Sequence, residues 1–471
     1  MMGRKKRSRA GSAVLTLILT AACAVTVFAE PLSPQRHVEL NEEGSFSQNR
    51  MRVMYDAILE AADGNAAYIY TPKGEKAADE PITGVNYLEN GVYQIAGTKA
   101  EDVNNNALMS AEGKILLPFE YALFAWPASD NRSYTQDRFI LAYTATDKTD
   151  SKDDALFYST ASLISLGPGQ DDVMYKGFVQ VYDIQKEKFV DNIKLEKVDK
   201  NDTVKTVGSS VLIQNEDKTH TLYDADGKKL CNLGSKCIAI GTSLIEKADS
   251  GSGYRILDET GKETFKGEGT VSEFPSTSGY FEVYESGKYK VLDSSGKEVL
   301  QYAPELIYEE FHDLYRIKTA GAEKLVDASG NIVAEGKITK LDTGYFTAEK
   351  EDGKLSLIGP AGETTADITS VNYAGLFAKD GSLICMNDGS AFLPYDENDK
   401  YRYKLIGEGI VFFEPSNGDS PAVYDLFTGK KLLDDGFSSL YQLGDSFVLE
   451  YRTGSDTTYK TYTAVVKDGA E

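Results

Sequence analysis

Residues 287–300 read GKYKVLDSSGKEVL, and this phrase decides the fold because it returns along the chain. Clear copies are HTLYDADGKKL at 220–230, YRILDETGKET at 254–264 and EKLVDASGNIV at 323–333. In each copy an apolar, strand-like run leads to an Asp, and a Gly follows three positions later. The chain therefore contains an internal repeat, and self-similarity at a fixed period is the signature of stacked repeat folds.

The Asp and Gly of each copy predict a tight turn between two antiparallel strands. An Asp side chain accepts hydrogen bonds from nearby backbone amides, and Gly adopts the left-handed conformation without steric cost. This pattern is typical of a type I turn closed by a G1 bulge, a common hairpin connection. The predicted turn positions are Asp224 with Gly227, Asp258 with Gly261, Asp293 with Gly296, and Asp327 with Gly330.

The turn glycines are spaced almost regularly. Successive intervals from Gly227 are 34, 35, 34, 32, 27 and 40 residues, ending at Gly429. Gly74, Gly113, Gly469 and a degenerate copy with Lys186 in place of glycine extend the series to eleven. Units this small reach stability by stacking on their neighbours. We therefore predict an all-β fold of repeated antiparallel hairpin units of about 34–40 residues. A β-propeller, either one large or two in tandem, is the preferred architecture, with an elongated β-solenoid as the alternative.

One short helix is predicted near the N-terminus, at residues 45–64. Ser45 and Gln48 have the spacing of a capping box, and apolar residues from Met51 to Leu59 recur at helical intervals before Gly64. The predicted organisation is a signal peptide at 1–29 and an N-terminal tail with this helix at 30–65. Degenerate β-repeats follow at 66–200, with an insertion near 144–177, and regular β-repeats at 201–471.

The first 29 residues have the pattern of an export signal. A basic cluster at residues 4–9 precedes an apolar run at 13–28, and cleavage is expected after Ala29. The alternative is a lipoprotein signal, because Thr-Ala-Ala precedes Cys23 and would make Cys23 the acylated residue. We expect a secreted, extracellular protein with no transmembrane segment in the mature chain, and a lipid anchor through Cys23 as the alternative.

The charge excludes several classes of partner. The chain has a formal net charge of −23, and without residues 1–29, which hold five basic residues and no acid, the charge is −28. Nucleic acids and anionic membrane surfaces are recognised through Lys and Arg, so neither is an expected partner.

Residues suited to metal binding or catalysis are scarce. Beyond residue 29 the cysteines are Cys231, Cys237 and Cys385, and the only histidines are His37, His220 and His312, without a zinc-like spacing. No nucleophile elbow, metalloprotease or phosphate-loop motif is present, so no catalytic residue, metal or cofactor is predicted. Cys231 and Cys237 either form a local disulfide or are small apolar residues in strands. Tyrosines such as Tyr280, Tyr284 and Tyr345 either bind a sugar or peptide, or pack between strands.

Residues 287–300 resemble the repeat unit of the WG-repeat family of bacterial proteins, G-K-W-G-aromatic-I-D-x-x-G-K-x-V-I. The resemblance recurs over 220–435 and more faintly over 66–190, with Tyr289 at the tryptophan and Lys290 at the following glycine. The chain's single tryptophan, Trp126, lies outside such a phrase. The resemblance implies structural or partner-binding repeats and carries over no catalytic residue.

The sequence thus favours a non-catalytic scaffold, secreted or in the cell envelope, that binds an extracellular protein or glycan. The main alternative is a secreted carbohydrate-active enzyme on a propeller that uses two unidentified carboxylates. A structural envelope component without a specific ligand is a third interpretation.

Overall fold

The protein folds almost entirely into β-strands, as described by a computed structural model. The structure describes residues 36–468, except 48–50, 55, 89, 100–101, 128–137, 152–154, 160–163, 166–172, 197–202, 249–250, 272–280, 294, 303–309, 312–313, 320–321, 328–330, 342, 361, 372–374, 416–419, 434–435, 444–445 and 455. The predicted all-β class is confirmed. The signal peptide, Cys23, Tyr280, His312 and Gly330 lie outside the described residues.

The strands group into eleven consecutive units. The first strand, β1 (Arg36–Phe46), belongs to the last unit and is described below. Unit 1 contains β2 (Met51–Met54), β3 (Ala57–Ala61) and β4 (Ala67–Tyr70), and unit 2 contains β5 (Gly84–Tyr87), β6 (Val92–Ala96), β7 (Asn106–Ser110) and β8 (Ile115–Tyr121). Unit 3 contains β9 (Leu123–Ala125), β10 (Phe139–Thr149), β11 (Phe157–Ser159), β12 (Ile164–Ser165), β13 (Val173–Asp183) and β14 (Lys188–Leu195).

Units 4 to 7 contain four strands each. Unit 4 has β15 (Val204–Val207), β16 (Ser210–Gln214), β17 (His220–Tyr223) and β18 (Lys229–Leu233), and unit 5 has β19 (Cys237–Ile240), β20 (Ser243–Lys247), β21 (Gly253–Asp258) and β22 (Glu263–Glu268). Unit 6 has β23 (Thr270–Val271), β24 (Phe281–Glu285), β25 (Lys288–Leu292) and β26 (Glu298–Tyr302), and unit 7 has β27 (Glu310–Phe311), β28 (Leu314–Thr319), β29 (Ala322–Asp327) and β30 (Ile332–Glu335).

Units 8 and 9 share one strand. Unit 8 has β31 (Lys337–Lys340), β32 (Phe346–Glu349), β33 (Leu355–Gly359) and the first part of β34 (Gly362–Ser370), and unit 9 has the end of β34 with β35 (Phe377–Lys379), β36 (Ser382–Ile384) and β37 (Ala391–Pro394). A 3-10 helix, η1 (Glu397–Arg402), leads to unit 10, which has β38 (Tyr403–Ile406), β39 (Ile410–Phe413), β40 (Ala422–Asp425) and β41 (Lys431–Leu433). Unit 11 has β42 (Ser439–Leu443), β43 (Ser446–Thr453) and β44 (Asp456–Asp468).

All described strand pairs are antiparallel, and the strands of a regular unit lie side by side in chain order. Unit 3 departs from this order because β11 and β12 extend the sheet beside β13.

The units stack with both faces of each sheet buried. On β10, Phe139, Leu141 and Tyr143 pack in a cluster with unit 4, whereas the alternate residues Ile140 and Ala142 pack with unit 2. Because successive side chains of a strand point to opposite faces, unit 3 is held between its two neighbours. Every consecutive pair of units except 6 and 7 shares such an apolar cluster among the described residues.

The two ends of the described chain meet in one sheet. Strand β1 pairs with β44 from Arg36 opposite Asp468 to Phe46 opposite Tyr459, and it takes the fourth position in unit 11. Phe46 and Tyr459 then share a cluster with Ile58 of unit 1. The last unit is therefore in contact with the first, which is the arrangement of a β-propeller rather than of an elongated solenoid.

Side chains from units 8 to 11 hold the start of β1. The Asn387 amide accepts from the backbone N–H of Arg36 (3.1 Å) and donates to its carbonyl (2.7 Å). The Arg36 guanidinium donates to the Thr343 carbonyl and pairs with Asp468 at 2.9 Å. Asp425, fully buried, accepts from the backbone N–H of Val38 at 3.0 Å. These contacts fix the register of the closing strand.

The repeated turns have the geometry that their Asp and Gly residues favour. Asp224 Oδ1 accepts from the backbone N–H groups of Asp226 (3.0 Å) and Lys228 (2.9 Å), and Gly227 has φ 78°. A one-residue register shift at Leu222 and Tyr223 marks the bulge. Equivalent bonds form at Asp258 and Asp293, and Asp327 accepts from the Asn331 amide. In unit 3 the left-handed residue is Glu187, one position after Lys186.

The turn glycines also allow neighbouring units to approach closely. A Cβ atom at Gly296 would lie 2.1 Å from Phe265 Cγ, on the fourth strand of the preceding unit. The same relation recurs at Gly227 against Asp191, Gly261 against Cys231, Gly389 against Thr365, Gly429 against Phe392, and Gly74 against Phe46 of β1. Strand β1 thus meets unit 1 as the fourth strands at these junctions meet the next unit.

The helix predicted for residues 45–64 is wrong. Residues 51–61 form the hairpin of β2 and β3, with Asp56 left-handed (φ 57°) in the turn. Ala57 packs toward unit 2 and Ile58 toward unit 11. A helix of this pattern would bury one apolar stripe, whereas stacking buries both faces of a strand and so favours the hairpin. Residues 36–46 also lie in unit 11, so 30–65 is not a separate region.

Gly296→Ala should destabilise the protein more than Gly287→Ala. Both glycines are left-handed (φ 81° and 82°), so each substitution carries the same backbone cost of about 1–2 kcal/mol. A Cβ at Gly287 has no atom within 4 Å, whereas at Gly296 it would overlap Phe265. Overpacking should add about 1–3 kcal/mol, measured as a lower midpoint of urea unfolding. Equal losses would contradict the packing role of the turn glycines.

Asp425→Ala should loosen the closing strand. The substitution leaves the Val38 and Phe427 backbone N–H groups without their carboxylate acceptor inside the protein, and we expect a loss of about 3 kcal/mol. Limited proteolysis should then release the N-terminal segment before the rest of the chain is cut. Asp456→Ala, at an exposed position on β44, is the control and should change neither readout.

Candidate functional site

Antiparallel order gives the stack two different faces. The turns between first and second strands and between third and fourth strands lie on one side, which we call the turn face and which carries Asp224 to Gly227. The turns between second and third strands and the links between units lie on the opposite side, which we call the link face. The predicted turn positions that the structure describes therefore belong to the turn face, where they serve the stacking.

A cleft lies on the link face, where units 8, 9 and 10 meet. It has a volume of about 470 Å³ and is lined by residues 367–371 of β34 and its end, 378–381 of the β35–β36 turn, and segment 395–400. We call it the shared-strand cleft because β34 passes from unit 8 into unit 9 beside it. A cleft of this size is within the range of small-ligand sites.

Backbone irregularities build the cleft walls. Asp367 is the extra residue of a bulge in β34, between Ala366 and Ile368, and is left-handed with φ 57°. Bulges bend a strand and redirect side chains, and this one lies where β34 changes sheet. Asp380 and Gly381 form a two-residue turn with φ 51° and 76°, a geometry that Asp-Gly suits.

The link to unit 10 forms the remaining wall. The backbone N–H of Tyr395 donates to the carbonyl of Gly381 at 2.9 Å, so the link is tied to the β35–β36 turn. Asp396 caps the 3-10 helix η1 by accepting from the backbone N–H of Asn398 at 2.9 Å. Glu397 and Lys400 of η1 are thereby placed at the cleft.

The cleft is polar and contains both signs of charge. Asp367 pairs with Lys354 at 3.1 Å, and Lys379 donates to Thr365 Oγ1 at 3.0 Å. Asp380, Glu397 and Lys400 are exposed, and no ion pair of theirs is found among the described residues. Burial, together with the Glu397 and Asp396 carboxylates, raises the pKa of Tyr395, which keeps its hydroxyl protonated and able to donate. The cleft therefore offers acceptors, donors and one aromatic ring.

The spacing of the turn glycines is the one feature of the sequence that points to the region of this cleft. Among the six intervals from Gly227 to Gly429, the two on either side of Gly389 deviate most, with 27 residues before it and 40 after it. The shared strand β34 removes the link before unit 9, and η1 lengthens the link after it. Length changes in repeat proteins collect in loops on one face, often the binding face. The individual cleft residues were missed because no motif marks them.

Two smaller clefts lie in other parts of the described structure. One, of about 300 Å³, lies on the link face of unit 5 beside Arg255, whose guanidinium is paired with Glu246. The other, of about 270 Å³, lies between units 10 and 11 beside Val38 and Phe447.

The structure also places the tyrosines and histidines that the sequence analysis singled out. Tyr345 is buried and donates to the Asn387 side-chain oxygen at 2.9 Å, whereas Tyr284 is 42% exposed. His220 is buried, and its Nδ1 atom lies 2.9 Å from the Gly234 carbonyl oxygen. His37 Nε2 lies 3.6 Å from Glu39 Oε1. Within the described ranges there is no group of three metal-ligating side chains and no helix long and apolar enough to span a membrane.

Cys231 and Cys237 are free thiols in the structure, so the disulfide considered from the sequence is not formed there. Burial raises the pKa of both, to about 12 for Cys237, where the nearby Glu246 carboxylate adds to the effect. A raised pKa leaves little reactive thiolate at neutral pH.

Native protein should therefore react slowly with iodoacetamide at pH 8, and urea should make both cysteines reactive. Peptide mass spectrometry without reductant is expected to find Cys231 and Cys237 each alkylated. A peptide pair joined through the two sulfurs would contradict the free-thiol assignment.

No protein-family model and no curated protein matches the chain. Among solved structures it is similar to BamB from Moraxella catarrhalis, with a TM-score of 0.25 and 12% identity over 68% of this chain and 97% of BamB. It is also similar to PorZ, a bacterial surface component of the type-IX secretion system of Porphyromonas gingivalis (TM-score 0.23, 10% identity, 88% of this chain and 64% of PorZ). A protein of unknown function from Bacteroides caccae gives a TM-score of 0.21 at 13% identity, over 39% of this chain and 87% of that one. Scores this low carry no argument about function, and the fold rests on the strand pairing of this chain.

Proposed function

We propose that the protein is a non-catalytic β-repeat scaffold that acts outside the membrane and binds an extracellular protein or glycan through its link face. The shared-strand cleft is the observation that carries this proposal. It is an open, polar cavity at the point where the spacing of the repeats between Gly227 and Gly429 is most irregular. Export through residues 1–29 as a secreted protein, or with a lipid anchor at Cys23, is part of the proposal, as is kinship with WG-repeat proteins.

The charge distribution supports a polar extracellular partner. A chain with a net charge of −28 after its first 29 residues repels other polyanions, and it remains soluble. Within the cleft, ammonium groups lie near carboxylates, so the cleft can attract both positively and negatively charged groups of a ligand.

A carbohydrate-active enzyme is the second candidate, because three carboxylates line this cleft: Asp367, Asp380 and Glu397. A glycosidase needs one carboxylic acid that keeps its proton near neutral pH, and an apolar, buried environment is what provides this. All three carboxylates are exposed, and Asp367 is paired with Lys354. Their surroundings thus favour binding over catalysis.

Affinity capture from the cell envelope of the producing organism tests the proposal. The full-length protein should retain a specific protein or glycan component, and the double variant Tyr395→Ala, Lys400→Ala should retain at least tenfold less. Tyr401→Ala is the matched control, because Tyr401 lies in the same 3-10 helix, is 66% exposed and does not line the cleft.

Two results would contradict the proposed function. Equal capture by wild type and the double variant would remove the cleft from binding. Turnover of an envelope glycan that Glu397→Gln or Asp380→Asn abolishes would establish the enzyme instead.

A further inference from the structure

We propose that the shared-strand cleft is a saccharide-binding subsite for a neutral or amino sugar. This inference rests on the proposed function and specifies its ligand class. Three features carry it: the mixture of donors and acceptors in the cleft, one half-buried aromatic ring, and balanced lining charges on a strongly acidic protein.

The cleft supplies the hydrogen-bonding groups that a sugar requires. Each sugar hydroxyl both donates and accepts, so its site needs acceptors and donors together. Carboxylates of Asp380 and Glu397 accept, the ammonium of Lys400 donates, and the Thr369 hydroxyl can do either. A site for an aliphatic ligand would instead be lined mainly by apolar side chains.

Tyr395 supplies the apolar surface. Its ring is half-buried and contacts the ring of Tyr403, with centroids 5.6 Å apart and planes tilted by 57°. Tyr403 is itself fixed, since its hydroxyl donates to the Pro394 carbonyl at 2.8 Å. A tyrosine held in this way presents a rigid, amphipathic ring at little entropic cost, and the C–H face of a pyranose packs on such a ring.

The charge selects among sugars. Lys354 neutralises Asp367 from outside the cleft, and Lys379 is oriented by Thr365. The remaining charged groups of the lining are two carboxylates, Asp380 and Glu397, and two ammonium groups, Lys379 and Lys400, so the charges of the cleft balance. The field of the surrounding protein, whose net charge is −28 after residue 29, then disfavours uronic acids and favours sugars that are neutral or carry an amine.

Titration calorimetry with defined trisaccharides tests the inference. The probes are N-acetylglucosamine trimer, its deacetylated glucosamine trimer, cellotriose and galacturonic acid trimer, each titrated into the full-length protein. At least one neutral or amino trimer should bind, and galacturonic acid trimer should bind at least tenfold more weakly. Tyr395→Ala and Glu397→Gln should each reduce affinity at least tenfold, and Tyr401→Ala should leave it unchanged.

The variants also separate binding from folding. Glu397 is an exposed residue of η1, so Glu397→Gln should keep the wild-type melting temperature even if Tyr395→Ala lowers it. Trimer binding that Glu397→Gln and Lys400→Ala both leave unchanged would overturn the assignment of the cleft. No binding of any probe at millimolar concentration, with envelope capture of a protein through the same residues, would overturn the saccharide ligand and leave the scaffold function standing. Failure of both experiments would overturn both proposals.

Discussion

The fold depends on how closely the turn of one unit approaches the fourth strand of the unit before it. At Gly296 and most of its equivalents there is no room for a Cβ atom, because atoms of the preceding sheet occupy that space; Gly362 of unit 8 is the described exception. The same glycine takes the left-handed conformation that the bulged turn requires. One residue type thus satisfies a local backbone demand and a packing demand between sheets. The repeat is visible in the sequence because this combination admits only glycine.

The units and their turns were predictable from the sequence, since the Asp and Gly chemistry is local and each copy reports it again. The N-terminal region was not predictable in the same way. Met51 to Leu59 satisfy a helical period, yet the same residues fill both faces of a hairpin once unit 11 and unit 2 lie on either side. Strand β1 carries no repeat phrase, and its partner β44 is more than 400 residues away. Pattern analysis within a short window cannot detect such a pairing.

The shared-strand cleft shows where repeat analysis stops being informative. The intervals on either side of Gly389 deviate from the mean, but only the structure shows that β34 serves two sheets and that η1 lies in the link to unit 10. Asp380, Glu397 and Tyr395 belong to no motif, since their proximity is a product of chain path. Asp425 is a related case. In the sequence Asp425 lies four residues before its turn glycine, Gly429, whereas the regular copies have a spacing of three. In the structure its carboxylate also accepts a hydrogen bond from the backbone N–H of Val38 in β1.

The closing strand has a consequence for the order of folding. Strand β1 is made before every other described strand, but the sheet that it completes does not exist until β44 has been made. Until then, β1 has no partner and the rest of the chain lacks the contact between its last and first units. Closing so large a loop is entropically costly and slow compared with forming each local hairpin. A chain that ends before β44 would keep both ends open, with unpaired strand edges that invite association with other chains.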